Sequence, residues 1–484
     1  MSTTQTHTEP FEYPPPSREI SGGWLALLKV FGPGAIIASV TVGTGETIFA
    51  PRMGAIFGYA MFWVVMAAVV AKALLVYSGM RHLVLTGEHP MAAWSRLPGP
   101  RGWVPALVGA IVVISFPLWI AALSDAVGSI CIWVTGFGAG TTWGRPFWAT
   151  TVIVFTMLLT LVQTYDVLER VSFVFLGLKI LFVLVACIVV KPDWFAALVG
   201  LLPTLPAYPS WALASYPELQ GRPPILEIAT LLGTVGGGVQ DYVGYVSCAR
   251  EKEWGAAGVA GATLARLPQG TDDARRGRQW LKAPAFDTVS SFASVFVMTG
   301  LFMLLGAALL HPQHQVPTSG DLYGKQAQFL GVVHPALVHV YKAGIFFAML
   351  GAVYGCFEVY ARSVFEPVRA LWPDRSLDLR RLRLWNTLYC GVGGLLLLWT
   401  GLQTVKIVTI VSPFSGVLGC GLWCLAMIVV DRTQMPKGYR MSGGLRAGLW
   451  IAGIAMAVAG AYTTWTSWLP LVQGARAVLA RWIG

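Results

Sequence analysis

The chain has 484 residues, of which 55% are hydrophobic and only 12% charged, with a mean hydropathy of +0.64. A soluble globular chain is about 25% charged, so this composition excludes a water-soluble domain and points to a polytopic integral membrane protein. The net charge of +11 is spread over separate short loops, which excludes a nucleic-acid partner and fits a lipid bilayer with an anionic cytoplasmic face.

Residues 1–22 are polar and rich in proline (Pro10, Pro14, Pro15, Pro16) and read as a disordered cytoplasmic tail. They lack a basic segment followed by a short apolar core and a small-residue cleavage site, so no cleaved signal peptide is expected. Residues 23–465 read as one transporter domain, and 466–484 as a short extracytoplasmic C-terminal segment. Eleven apolar spans, each long enough for a hydrocarbon core of roughly 30 Å, are expected at 25–54, 57–78, 104–134, 147–165, 171–190, 225–249, 287–310, 336–364, 383–400, 404–430 and 445–465. The third is long enough to tilt, or to fray near Pro117. The seven cysteines all lie in or at the ends of apolar segments, so no disulfide framework is expected.

Alternate loops are basic. Arg81, Arg96 and Arg101 fall in 79–103; Arg250, Lys252, Arg266, Arg275, Arg276, Arg278 and Lys282 in 250–286. Arg362, Arg369, Arg375, Arg380, Arg381 and Arg383 fall in 362–384, and Arg432, Lys437, Arg440 and Arg446 in 431–446. The intervening loops are nearly free of Lys and Arg. The positive-inside rule then puts the N-terminus in the cytoplasm and, after eleven spans, the C-terminus outside a cell (inner) membrane.

Two spans are broken by glycine, and each break is followed by a carboxylate. The first carries Gly43-Thr44-Gly45-Glu46-Thr47; the second carries Gly233-Thr234-Val235-Gly236-Gly237-Gly238-Val239-Gln240-Asp241. The breaks lie about 190 residues apart, one at the head of each five-span half. An odd number of spans per half makes the two halves inverted repeats. The fold class is therefore all-α, a five-plus-five inverted-repeat bundle with one extra helix and broken helices 1 and 6.

Unwound backbone at membrane depth is tolerated where it lines a cavity, and a matched pair of interrupted helices marks a transporter's binding site. The half-helix ends offer carbonyls to a cation, amides to an anion, or both to a zwitterion. The substrate-site candidates are Gly43, Thr44, Gly45, Glu46, Thr47, Thr234, Gly236, Gly237, Gly238 and Gln240. Glu46 can ligate a metal, pair with an ammonium, carry a proton or cap its half-helix. Asp241 can do the same for the second half, or be exposed or paired with arginine. Asp125, Glu358 and Lys406 are further intramembrane charges, candidates for an ion or proton path or for pairing with one another. No Walker loop or channel filter occurs, so neither an enzyme nor an ATP-driven pump is expected, and no cofactor.

These residues resemble a known family. Gly32-Pro33-Gly34, the break, and Met53-Gly54-Ala55-Ile56-Phe57-Gly58-Tyr59 are similar to the Nramp (natural-resistance-associated macrophage protein) metal transporters. So are Leu83-Val84-Leu85-Thr86-Gly87, Thr234-Val235 and Ser412-Pro413-Phe414. The resemblance implies the APC superfamily and the leucine-transporter fold. It also exposes departures. The family's Asp-Pro-Gly-Asn becomes Gly43-Thr44-Gly45-Glu46, its Met-Pro-His becomes Gly236-Gly237-Gly238, and its span-10 Gln becomes Val411. Loss of the thioether and imidazole disfavours transition metals, while carboxylate and carbonyl suit harder ions. The expectation is a monomeric secondary transporter (a symporter) of a hard divalent metal rather than iron or manganese. The alternative is a carrier of a small organic solute such as an amino acid or amine, with Gly43-Thr44-Gly45 amides holding a carboxylate.

Overall fold

A chain in hydrocarbon must satisfy its own backbone polar groups, so apolar spans fold as helices. The computed structural model describes residues 9–22, 24–27, 43–162, 181, 183–318, 321, 323–332 and 334–483. Among these the regular elements are helices, beside one isolated bridge between Thr318 and Asp321. The π-helical turn Gly45–Phe49 leads into α1 (Ala50–Phe57). Then come α2 (Phe62–Thr86), α3 (Trp103–Thr135) and α4 (Gly144–Val162). The second broken span is α5 (Pro224–Thr234) and α6 (Val239–Arg250). It is followed by α7 (Lys282–Leu305), α8 (Leu337–Leu371) and α9 (Leu379–Leu398). A π-helical stretch Ser412–Leu418 joins α10 (Thr404–Val411) to α11 (Gly419–Thr433), and α12 is Gly443–Ile483.

These elements coincide with the expected spans wherever the residues are described. The first part of span 1 (28–42), the end of span 4 (163–165) and much of span 5 (171–180 and 182) lie outside the described residues. Several details differ, among them α8, which runs on to Leu371 so that Arg362 and Arg369 lie in the helix, and α7, which starts at Lys282. α2 runs to Thr86, where Gly87 at φ +75° supplies the left-handed cap, so Arg81 lies in the helix rather than in a loop. α3 passes through Pro117 without fraying, and the proline ring packs closely on Gly393 of α9. α12 continues beyond 465 as helix.

α3 is the central pillar, packed against α4, α8, α9 and α10. Glycines set the closest approaches, as small residues do between helices in lipid. A Cβ on Gly416 would stand 2.0 Å from the Gly233 carbonyl oxygen, and one on Gly54 would stand 2.2 Å from that of Met303. The first contact fixes α5 against the Ser412–Leu418 stretch; the second fixes α1 against α7.

The N-terminal segment differs from expectation. From residue 9 it packs on the basic end of the bundle, where Phe11 and Tyr13 join Leu85, Ala262, Leu267, Met435 and Tyr439 in a satellite core. The Tyr13 hydroxyl donates to the Leu85 carbonyl (2.6 Å), and the Trp280 indole N–H donates to that of Pro14 (2.8 Å). Aromatic residues between the prolines bury enough apolar surface to order the segment, which proline content alone did not suggest. His89, in the loop after α2, is buried, and burial pushes its imidazole down to about 4. The neutral ring accepts from the Met91 N–H at Nδ1 (3.2 Å) and donates from Nε2 to the Val243 carbonyl of α6 (3.1 Å).

Gly416→Ala is expected to destabilise the purified protein by about 1–3 kcal/mol, the usual cost of overpacking, because both facing atoms are backbone. A thermal unfolding midpoint equal to wild type would show that α5 and the π-helical stretch are not held this closely.

Candidate substrate site at the paired helix breaks

The second break is short, and its backbone groups can be followed one by one. α5 stops at Thr234 because Gly236 and Gly237 adopt φ +72° and +87°, which glycine tolerates without strain. The Gly237 N–H donates to the Thr234 carbonyl (3.2 Å). The Gly236 N–H donates to Oε1 of Glu46 (3.1 Å), and the Gly236 carbonyl accepts from the Tyr242 hydroxyl (2.6 Å). The Gly238 N–H donates to Oδ2 of Asp241 (2.8 Å), closing a cap at the start of α6. The remaining carbonyls, those of Gly233, Val235 and Gly237, all accept from the ammonium of Lys72 in α2, at 3.0, 2.6 and 2.6 Å.

Glu46 ties this break to the first. Its other oxygen, Oε2, accepts from the Gly43 N–H (2.9 Å). Thr47 supports the same turn by donating to the Gly43 carbonyl (2.6 Å), and the Gln326 side chain donates to the Thr47 carbonyl (2.8 Å). Gly45 sits against Thr234, where a Cβ would meet backbone atoms at 2.8 Å. The two breaks are thus pinned together by one carboxylate and one close backbone contact.

Beside them is a small cavity of about 30 Å³, lined by Gly43, Thr44, Gly45, Trp119, Leu123, Thr234, Gly237, Gln240, Asp241, Cys356 and Tyr360. A water needs on the order of 10–15 Å³ of such space, so the cavity holds two or three water-sized species. Asp241 is its carboxylate and also accepts from the Gln240 amide (2.8 Å). Among the described residues the Gln240 Oε1 is buried without a hydrogen-bond partner. Trp119 is oriented by donating to the Ser415 hydroxyl (3.1 Å), and Tyr360 by stacking on Phe116. Among the described residues no group of three or more His, Cys, Asp or Glu side chains is arranged to hold a metal.

The expected site residues therefore divide. Gly43, Thr44, Gly45, Thr234, Gly237 and Gln240 line the cavity, joined by Asp241, which is buried and, among the described residues, not paired with arginine. Glu46, Thr47, Gly236 and Gly238 stand behind them as supports. Glu46, expected as a metal ligand, has both oxygens on backbone amides, those of Gly43 and Gly236.

The peripheral charges lie elsewhere. Asp125 pairs with Arg145 (2.6 Å) and accepts from the N–H and hydroxyl of Thr404 (2.8 and 2.6 Å). Glu358 pairs with Arg383 of α9. Neither meets Lys406, which is exposed on the wall of an outer cavity of about 1090 Å³. Between that outer cavity and the breaks, Glu227 of α5 pairs with Arg222 (3.2 Å) and lies 4.0 Å from Arg52 of α1.

The sequence reading missed Lys72, Arg52, Glu227, Trp119, Cys356 and Tyr360. For Lys72 the signal was present: it is the one charge between Phe62 and Met80 in an apolar span, and an ionisable group at that depth is a functional candidate by default.

The sequence profile described as Natural resistance-associated macrophage protein-like matches residues 34–466. The chain belongs to this Nramp-like family. Members of the family are transporters rather than enzymes. No curated protein matches the sequence. The structure is similar to the manganese transporter of Eremococcus coleocola in complex with an aromatic bis-isothiourea substituted compound. That likeness has a TM-score of 0.67 at 13% identity and covers 96% of this chain and 91% of that one. It is also similar to MhsT in complex with L-phenylalanine (TM-score 0.53, 12% identity, 90% and 98% covered). A third likeness is to Mhp1, a nucleobase-cation-symport-1 family transporter, closed with bromovinylhydantoin bound (TM-score 0.50, 15% identity, 90% and 93% covered). At these identities the likeness is one of fold. The Nramp-family chain has the leucine-transporter architecture, two inverted five-helix repeats with broken helices 1 and 6 and an added helix.

Replacing Glu46 by Gln keeps its shape but turns an NH₂ toward one of the two amide donors. A buried donor left without an acceptor costs roughly 1–3 kcal/mol, so Glu46→Gln is expected to lower the unfolding free energy by that amount and the unfolding midpoint with it. Unchanged stability would mean that the carboxylate does not join the two breaks.

Proposed function

We propose that this chain is a gradient-driven carrier of a hard metal cation, Mg²⁺-like in charge and hydration, with Asp241 as its anionic ligand. The observation that supports this most directly is the cavity itself: about 30 Å³, one carboxylate, and a Gln240 oxygen with no partner among the described residues. Mg²⁺ is bound through one or two carboxylates and water rather than by an all-protein cage, and the cavity has room for the ion with one or two waters. The organic-solute alternative loses support, since the Gly43 amide is taken by Glu46 and an amino acid exceeds the space. Cys356 in the wall favours a second reading, a softer ion held by a thiolate.

Proteoliposome uptake separates the two. Mg²⁺ uptake is expected to exceed Mn²⁺ uptake, and Asp241→Asn to weaken Mg²⁺ binding roughly tenfold or more, a loss of about 1.4 kcal/mol or more. Uptake dominated by Mn²⁺, blocked by low Cd²⁺ and lost in Cys356→Ser would replace this reading with the soft-ion one.

We also infer that residues 23–465 form one transporter domain in a cell (inner) membrane, with the N-terminus cytoplasmic and the C-terminus outside, acting as a monomer. The convergence of residues 256–281 and 435–439 at one end of the bundle supports this orientation, since it gathers two basic segments on one face. The native cysteines described are all buried, so single engineered cysteines report cleanly. One placed in 250–286 should label from the cytoplasm and one in 311–335 from outside. Labelling of both from one side would overturn the assignment.

A further inference from the structure

The carbonyls of Gly233, Val235 and Gly237 converge on one point, and the Lys72 ammonium sits there. Gly233 is near the last turn of α5, and the other two lie in the unwound stretch, so these oxygens have no helical donors. They also carry the partial negative charge of a helix C-terminus. Lys72 is fully buried. An ammonium has three N–H donors, and all three go to these carbonyls. None goes to a carboxylate, although Glu46 and Asp241 are within electrostatic reach. This is how a free cation is held by unwound backbone, not how a surface ion pair is made.

We propose that Lys72 is a tethered cation that fills a carbonyl-lined cation site at the second break, and that removing its side chain exposes a site for an alkali cation or a small primary ammonium. Gly237, one of the three ligands, also lines the central cavity, which gives a free cation a route to the vacated position. The intact protein then needs no second, free cation at this break. The inference goes beyond the transport reading and does not depend on which ion is carried.

The test uses full-length protein and its thermal unfolding in choline chloride, NaCl, KCl and methylammonium chloride at matched ionic strength. Lys72→Ala is expected to unfold at a lower temperature in choline. Methylammonium, and Na⁺ or K⁺, should restore it by about 2 °C or more in a saturable way. Lys72→Met, whose side chain occupies the space without charge, should be destabilised and unresponsive, and wild type should not distinguish the salts. If Lys72→Ala does not survive purification in choline, its yield of folded protein in methylammonium against choline gives the same reading. Three results would overturn the proposal: an undiminished Lys72→Ala midpoint, a lowered one that no cation restores, or a wild type that Na⁺ stabilises as much as the variant. None of these bears on Mg²⁺ uptake, so the two readings stand or fall separately.

Discussion

The stretch from Gly233 to Gly238 is held between opposite charges: the Glu46 carboxylate takes its Gly236 amide, and the Lys72 ammonium takes three of its carbonyls. An unwound segment at membrane depth has no water to fall back on, and each unpaired polar group there costs several kcal/mol. The break can exist only because the π-helical turn before α1 brings a carboxylate to it and α2 brings an ammonium. The charges also match the half-helix dipoles, with the ammonium at the C-terminal end of α5 and Asp241 at the N-terminal end of α6.

This clamp decides what is left for a substrate. The amides and carbonyls that an interrupted helix advertises are mostly engaged by the protein's own side chains. Among the described residues the chemistry that faces the cavity is the Asp241 carboxylate, the Gln240 oxygen and the Cys356 thiol. Close glycine contacts at Gly45–Thr234 and Gly233–Gly416 keep α5 against its neighbours, so motion of one broken helix is transmitted to the others through packed backbone rather than through flexible side chains.

The remaining buried charges act as struts between helices. Asp125 joins α3 to Arg145 at the head of α4 and to the start of α10, and Glu358 joins α8 to α9. Glu227 with Arg222 and Arg52 stands between the breaks and the outer cavity. Buried pairs of this kind contribute little net stability, but removing one partner is costly because it strands the other.

Hydropathy and glycine placement alone determined the all-helical fold, the span boundaries to within several residues, and the pair of breaks. These follow from local requirements: apolar length against bilayer thickness, and glycine wherever φ must be positive. Gly236 and Gly237 adopt such angles, and the sequence pattern pointed to both. Which polar groups meet could not be read the same way. Glu46 and Lys72 are both charges in apolar text, yet one reaches an amide 190 residues away and the other a carbonyl 161 residues away. The aromatic packing that orders residues 9–14 is equally long-range. Only the tertiary structure decided these partners, because a buried charge chooses whichever unsatisfied backbone group the fold carries to it, and sequence spacing holds no record of that distance.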